Sequence, residues 1–443
     1  MEQTSPKINS QSLVNILTLR YDPLIKNNLP KKDWKDFVEI PNSYDLELIE
    51  NSIIDNIKNQ LKSSDTKKVC IALSGGVDST MVLNLLRESK PELEINAISI
   101  KFADSVDETV AASKIAERFD ANHHVVYLEN YLSELPKAIS MIQSPFWDLH
   151  WYYVVKKSTE LSNILFSGDG GDELLSGYTF RYEKFLSLTT ENSSTEEKIN
   201  AYLECHERDR VPDQEDLFGN KTNFSWNLIH KILRPYFENN LSRLQQVFLA
   251  DYNGKLLYNF NPINSRIVEK FKIKLITPIL NPKLIELSSH LPTQNKYDEK
   301  NNIGKLPLRK ILKKYNSDSL ISHQKLGFNV NTTNLWNSHG HEICKYFLAD
   351  SRIVKEGWIK KEWIQKAEQN HWIIPKARFG LFPAQSDGDE VIFYASEKKD
   401  KELGRFNFDL CIGKGRKDKF SIGQYFHSIE SGQVTQQQKH LVV

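Results

Sequence analysis

Between residues 44 and 62 apolar side chains recur at Leu46, Leu48, Ile49, Ile53, Ile54, Ile57 and Leu61, a spacing of three and four that predicts a helix. The pattern then changes period. Residues 68–73 (KVCIAL) form a short unbroken apolar run, read as a strand, and 78–87 return to helical spacing. Strands at 95–102, 124–128 and 163–166 follow, separated by a helix over 107–119 and helix-like segments across 130–162. Strands that alternate with helices imply a parallel sheet with helices on both faces. We assign 45–185 to this α/β core.

Residues 186–370 read as mostly helical, with loops marked by Pro262, Pro278 and Pro282. Residues 1–44 form a polar extension broken by Pro23, Pro30 and Pro41, with an apolar run around Leu13–Tyr21 able to pack on the main body. Beyond 371 the character changes again. Residues 379–382, 391–394 and 406–410 read as strands separated by Gly and Asp turns, giving 371–443 the look of a short β-rich appendage.

Composition narrows the classes. Apolar residues make up 40% and charged residues 26% of the 443, and 58 Lys and Arg nearly balance 57 Asp and Glu. That balance excludes a strongly basic chain built around nucleic acid or an anionic membrane. No stretch approaches the ~20 apolar residues of a membrane helix. Cys70, Cys205, Cys344 and Cys411 are far apart, with no C-x-x-C pair. This points to reduced thiols in the cytoplasm.

Two loops carry candidate chemistry. The first, residues 73–79 (LSGGVDS), follows a strand and opens a helix. Gly75 and Gly76 let backbone approach an anion, and the new helix offers free N–H groups and its positive end. Ser74 and Ser79 add hydroxyls, and Asp78 can hold a magnesium ion against phosphates. No Gly-Lys-Ser/Thr is present here, so this is not a loop for terminal phosphate transfer. The second loop, residues 167–178 (SGDGGDELLSGY), follows the strand at 163–166. Loops at the carboxyl ends of parallel strands lie where open α/β sheets bind ligands. There Ser167 and the glycines can approach a nucleotide, Asp172 can share the magnesium with Asp78, and Asp169 is a candidate base toward an amine.

The pairing of LSGGVDST (73–80) with SGDGGDELLSGY (167–178) resembles the synthetase domain of asparagine synthetases, an ATP pyrophosphatase of the PP-loop type. Asp107-Glu108, followed by a helix and His124, is similar to that family's adenine-side segment. Gly304-Lys305 with Leu308-Arg309, and Lys325-Leu-Gly-Phe328, are similar to its two catalytic-lysine regions, and 354–362 (VKEGWIKKE) to its closing helical region. The resemblance covers roughly 45–370. It implies ATP and Mg2+ as cofactors, and adenylation of a carboxylate, aspartate first, followed by amidation with ammonia. It further implies Lys305 and Lys325 as catalytic lysines, residues 74–79 around pyrophosphate, and Leu73, Ile100, Ser167 and Gly168 lining the AMP site.

Three departures shape these expectations. Glutamine-dependent members begin with a nucleophilic cysteine on a separate glutaminase domain. Here Glu2 stands second and only about 45 residues precede the synthetase region. This chain alone is therefore not expected to hydrolyse glutamine, and its nitrogen is expected from free ammonia, from a separate glutaminase partner or from another amine. The family's charged substrate-side segments correspond here to 258–262 (YNFNP) and 276–281 (ITPILN), which are neutral. A related synthetase acting on another carboxylate thus stays open, as do a non-catalytic nucleotide-binding regulator and a tRNA-modifying pyrophosphatase. Lastly, 379–394 resembles a segment of the activation domain of cobalamin-dependent methionine synthases, without that domain's cofactor motif.

Overall fold

The computed structural model describes residues 8–62, 65–102, 107–142, 149–211, 213–321, 336–348 and 351–369, with the strands Glu397–Lys399 and Phe406–Phe408. The predicted alternation is present. Chain order runs α1 (Ser10–Leu19), α2 (Leu46–Leu61), β1 (Lys68–Ala72), α3 (Val77–Ser89), β2 (Glu94–Phe102), α4 (Thr109–Arg118) and β3 (Asn122–Leu128). It continues through α5 (Leu135–Ile142), α6 (His150–Ser158), β4 (Ile164–Phe166), α7 (Gly171–Leu174), α8 (Thr179–Leu188) and α9 (Thr195–Cys205). Asp45 starts α2 by accepting the amides of Glu47 (2.9 Å) and Leu48 (3.1 Å), which satisfies first-turn donors that lack helical partners.

The sheet holds five strands in the order β3-β2-β1-β4-β5, all neighbouring pairs parallel. Its fifth strand, β5 (Lys274–Ile276), lies within the stretch read as mostly helical. Three residues of a Lys-Ile-Lys-Leu-Ile run are too few to show a period, so only its pairing with β4 reveals it. The middles of β1 and β2 are buried on both faces, as a parallel sheet covered on both sides requires. The packing of α2, α3 and α16 (Leu306–Lys314) together, and of α13 (Asn261–Lys270) with α5 and α6, supplies the covering layers. The strand order reverses between β1 and β4. Open α/β sheets bind ligands at such a switch, outside the carboxyl ends of the strands.

The remaining helices form a lobe beside the sheet. It includes α11 (Trp226–Phe237), α12 (Arg243–Asp251) and a nine-residue π-helix, Tyr252–Phe260. The π-helix takes in the start of the neutral segment 258–262, and rare i to i+5 winding of this kind is found at functional sites. Helix α1 is embedded in this lobe, with Leu13, Val14 and Ile16 almost fully buried. Its end is tied by charge. Arg20 and Lys255 both pair with the buried carboxylate of Asp209, Arg20 at 3.3 Å. Nearby, Tyr202 donates to Asp251 at 2.9 Å. Burial opposes ionisation of Asp209, yet Lys255 and Arg20 hold its carboxyl well below the usual range.

Among the described residues no helix is long and apolar enough to cross a membrane. Strands Glu397–Lys399 and Phe406–Phe408 pair antiparallel. The expected strands at 379–382 and 391–394, and the segment compared with methionine synthases, lie outside the described residues.

Candidate active site

The loop after β1 braces itself. The Ser74 amide donates to Ser79 Oγ at 3.2 Å, the two hydroxyls meet at 3.1 Å, and Gly76 N–H donates to Ser74 Oγ at 3.2 Å. Thr80 Oγ1 closes the first turn onto the Gly76 carbonyl at 2.7 Å. Gly76 is the N-cap of α3 and brings no side chain to it, so the positive end of this thirteen-residue helix faces the loop's concave side. Upstream, Ser99 Oγ donates to the Leu73 carbonyl at 2.7 Å, and His123 Nε2 sits 2.9 Å from the same hydroxyl. That hydroxyl has one proton, already given to Leu73, so His123 must be the donor to it. Burial and the neighbouring His124 lower the His123 pKa, consistent with a neutral ring. His124 instead meets Asn96 Oδ1 at 2.9 Å. Leu73 and Ile100 are both buried beside this chain.

The second loop lies directly against the first. A Cβ built on Gly168 would stand 2.8 Å from the backbone of Asp78 and Ser79, and one on Gly171 2.2 Å from Asp78 Oδ1. Any larger residue would push the loops apart. Ser167 is fixed from behind, its amide donating to the Ile276 carbonyl on β5 at 3.0 Å. The missed strand thus positions the start of the acidic loop.

Asp78, Asp172 and Lys305 converge. Lys305 Nζ lies 2.8 Å from Asp172 Oδ1 and in closer contact with Asp78 Oδ2. The lysine is 7% exposed. Burial disfavours its charge, but Asp172 and Asp78 more than reverse this and raise its pKa. Its amide is bonded to Leu175 O at 2.9 Å, and its backbone is left-handed at φ 58°. A Cβ on Gly177 would fall 1.8 Å from Asp172 Oδ1 and 2.3 Å from Lys305 Cε. Two carboxylates that close on one cationic point are a donor set suited to magnesium, which commonly takes one or two carboxylates and completes its shell with phosphates and water.

Asp169 keeps some contact with solvent and accepts from Asn264 Nδ2 of α13 at 2.9 Å. Its enclosure raises its pKa; the bonds from Ser167 and Asn264 pull the other way, while Asp78 and Asp172 add to the rise. A carboxylate shifted upward is a better proton acceptor than an ordinary one. Lys325 lies outside the described residues. Of the neutral segments, Asn281 is occupied structurally. It caps α14 (Pro282–His290) through Leu284 N at 2.9 Å and donates to Pro278 O at 2.8 Å.

Sequence reasoning passed over several neighbours. Asn264 gives no local signal, since an Asn on a helix is ordinary. Tyr178 and Glu173 lie inside the second motif, and the Tyr178 hydroxyl donates to Glu173 at 2.5 Å under the Arg181 guanidinium, which sits 4.2 Å from the ring centre. Arg309, beside Lys305 in sequence, donates to Gly304 O at 3.1 Å and lies near enough to Asp78 to feel its charge.

A five-stranded parallel sheet reversing between β1 and β4, with a Ser-Gly-Gly loop and an acidic loop meeting at the reversal, defines a PP-loop α/β fold. The chain belongs to the asparagine synthase family, whose model matches residues 49–378. It is 22% identical to asparagine synthetase [glutamine-hydrolyzing] 1 of Bacillus subtilis over 73% of this chain and 55% of that protein. It is 34% identical to a putative asparagine synthetase [glutamine-hydrolyzing] 2 of Methanocaldococcus jannaschii, over 24% of this chain and 22% of the relative. A mouse asparagine synthetase [glutamine-hydrolyzing] is 28% identical over 31% and 27%. The chain spans at most about half the length of these relatives.

Proposed function

We propose that this chain is an ATP-dependent amide-forming ligase. It adenylates a carboxylate, aspartate in the first place, with release of pyrophosphate, and then passes the acyl group to ammonia with release of AMP. The observation that carries this reading is the meeting of Asp78, Asp172 and Lys305 where the two loops touch. Residues 74–79 bind the pyrophosphate portion through amides, hydroxyls and the helix end. Leu73, Ile100, Ser167 and Gly168 line the adenylate. Asp78 and Asp172 would hold magnesium, which would supply positive charge against the triphosphate. Lys305 supplies positive charge to the phosphates from beside these acids, and Lys325 is assigned the same role by its motif. Asp169, held by Asn264, accepts a proton from the incoming amine.

One observation favours a second reading. Asn281, which stands where the family carries a charged residue, is consumed in capping a helix. A substrate other than free aspartate would not need that charge, so a related carboxylate is the alternative.

The test is pyrophosphate release from ATP and Mg2+ with aspartate and ammonium, beside a panel of other carboxylates. Aspartate-dependent release with asparagine formed supports the first reading; release with a different carboxylate alone supports the second. Asp78→Ala is expected to reduce release by about 10²–10³ or more with the fold intact. Wild-type rates in that variant would overturn the loop assignment.

A further inference from the structure

We propose that Lys305 occupies the metal position of the nucleotide-free site, so that a divalent cation enters only together with a polyphosphate that draws the ammonium away. The inference rests on the reading of residues 74–79 and 167–172 as a nucleotide site.

The geometry is that of an ion already seated. Nζ of Lys305 touches one oxygen of Asp78 and lies 2.8 Å from one of Asp172. These two carboxylates stand in the first turns of α3 and α7, just past the loops after β1 and β4, and are brought to one point by Gly168 and Gly171, whose missing side chains let the two segments touch. Ammonium and metal ion would compete for the same oxygens, and two cations at one point repel strongly in a largely buried site. Only one can be there.

Lys305 is built into this place. It is the N-cap of α16 in a left-handed backbone conformation that side-chain-bearing residues seldom adopt. Its stem runs through the space that a side chain at Gly177 would fill. A left-handed backbone and the missing side chain of Gly177 together deliver one ammonium between two acids.

The bare protein also offers little to displace it. Among the described residues no three His, Cys, Asp or Glu side chains group to hold a metal. Magnesium bound through two carboxylates needs the rest of its shell from phosphate and water. A polyphosphate on residues 74–79 changes both sides of the balance. It brings oxygen ligands for the cation, and it offers the lysine a new anionic partner within reach of its flexible stem. Metal and nucleotide must then strengthen each other's binding by the same factor. Before loading, Lys305 keeps the two acids from repelling each other and the loops in register.

The experiment uses Mn2+ as the probe, with free Mn2+ measured by electron paramagnetic resonance on the full chain, alone and with α,β-methylene-ATP. Wild type is expected to take up Mn2+ at least about tenfold more tightly with the nucleotide than without it. Without nucleotide, Lys305→Met is expected to bind Mn2+ about tenfold or more tighter than wild type, because the competing charge is gone. Lys305→Arg should show no such gain, and adding Asp172→Asn to Lys305→Met should abolish it. Mg2+ alone should raise the thermal midpoint of Lys305→Met and leave that of wild type in place, a readout independent of turnover. Equal Mn2+ affinity in wild type with and without nucleotide overturns the proposal. So does a Lys305→Met protein that binds the nucleotide, has a native circular dichroism spectrum and gains no Mn2+ affinity; in that case the nucleotide reading survives. Failure of wild type to bind α,β-methylene-ATP with Mn2+ removes both.

Discussion

Two of the charge clusters among the described residues are opposite in composition. At the loop junction one cation, Lys305, serves two acids, Asp78 and Asp172. In the helical lobe two cations, Arg20 and Lys255, serve one acid, Asp209. Both use a basic residue in left-handed backbone at a helix boundary, Arg20 at φ 63° after α1 and Lys305 at φ 58° before α16. The side-chain surroundings differ. Asp78 and Asp172 keep 18% and 23% of their surface exposed, whereas Arg20 and Asp209 keep 7% each. An acid-rich cluster open on one side is poised to take up a cation. The more enclosed cluster ties elements together, here the N-terminal helix, the turn at Glu207–Asp209 and the π-helix.

The strongest way to break this contrast is Asp209→Ala. It would strand the buried Arg20 guanidinium and push Lys255, whose pKa burial already lowers to about 7, toward its neutral form, and is expected to cost about 3–5 kcal/mol of stability, read by urea unfolding. ATP–pyrophosphate exchange by the surviving folded fraction should stay near wild type. The pH dependence follows in sign: a carboxyl depressed in the folded state contributes stability above its unfolded value of about 3.9. That contribution is lost as pH falls through the folded value, so wild type should outlast Asp209→Ala above pH ~4, with the difference shrinking in stronger acid.

Gly177→Ala probes the open cluster by crowding it. With contacts of 1.8 and 2.3 Å to relieve, it should cost about 1–3 kcal/mol, appearing mainly as lost exchange activity as Asp172 and Lys305 separate. The matching glycine of the closed cluster is Gly254, where the three atoms nearest to a Cβ all belong to Tyr21, at 3.0–3.1 Å. Gly254→Ala should change the unfolding midpoint by under about 1 kcal/mol, since helix propensity offsets the crowding. A larger loss there would mean that the closed cluster is as finely fitted as the open one.

The smallest effect concerns protons. Asn264 helps keep Asp169 ionised, so Asn264→Ala should raise the Asp169 pKa further. The acidic limb of the amidation rate should move to higher pH by about one unit or less. An unmoved limb with lowered turnover would make Asn264 a packing residue only.

The sequence made the site more legible than its supports. β1, β2 and β4 stand out because buried parallel strands read as apolar runs, and each loop follows such a run directly. Lys305 was reached through a motif, but no pattern in the chain could reveal that it sits between Asp78 and Asp172. That depends on glycines serving as contact surfaces between loops, where the sequence reading assigned them to approach a nucleotide. β5 and Asn264 escaped for a related reason: their roles are defined by tertiary partners, β4 and Asp169, and three residues or a single amide leave no period to detect. The π-helix is equally silent, since its winding does not follow the 3.6-residue repeat by which helices are found.

β5 has one more effect, and it bears on how the protein is made. On the ribosome, β4 leaves the exit tunnel long before Lys274–Ile276 exists, and until then β4, the strand that leads into the acidic loop, is itself the unpaired edge of the growing sheet, a place that β5 takes over once it pairs. Such edges recruit other chains. Nascent fragments ending before residue 274 are therefore expected to aggregate, while those extending past α16 gain the closing strand and Lys305 together. The last piece of the sheet and the cation that joins its loops arrive within one short stretch of synthesis.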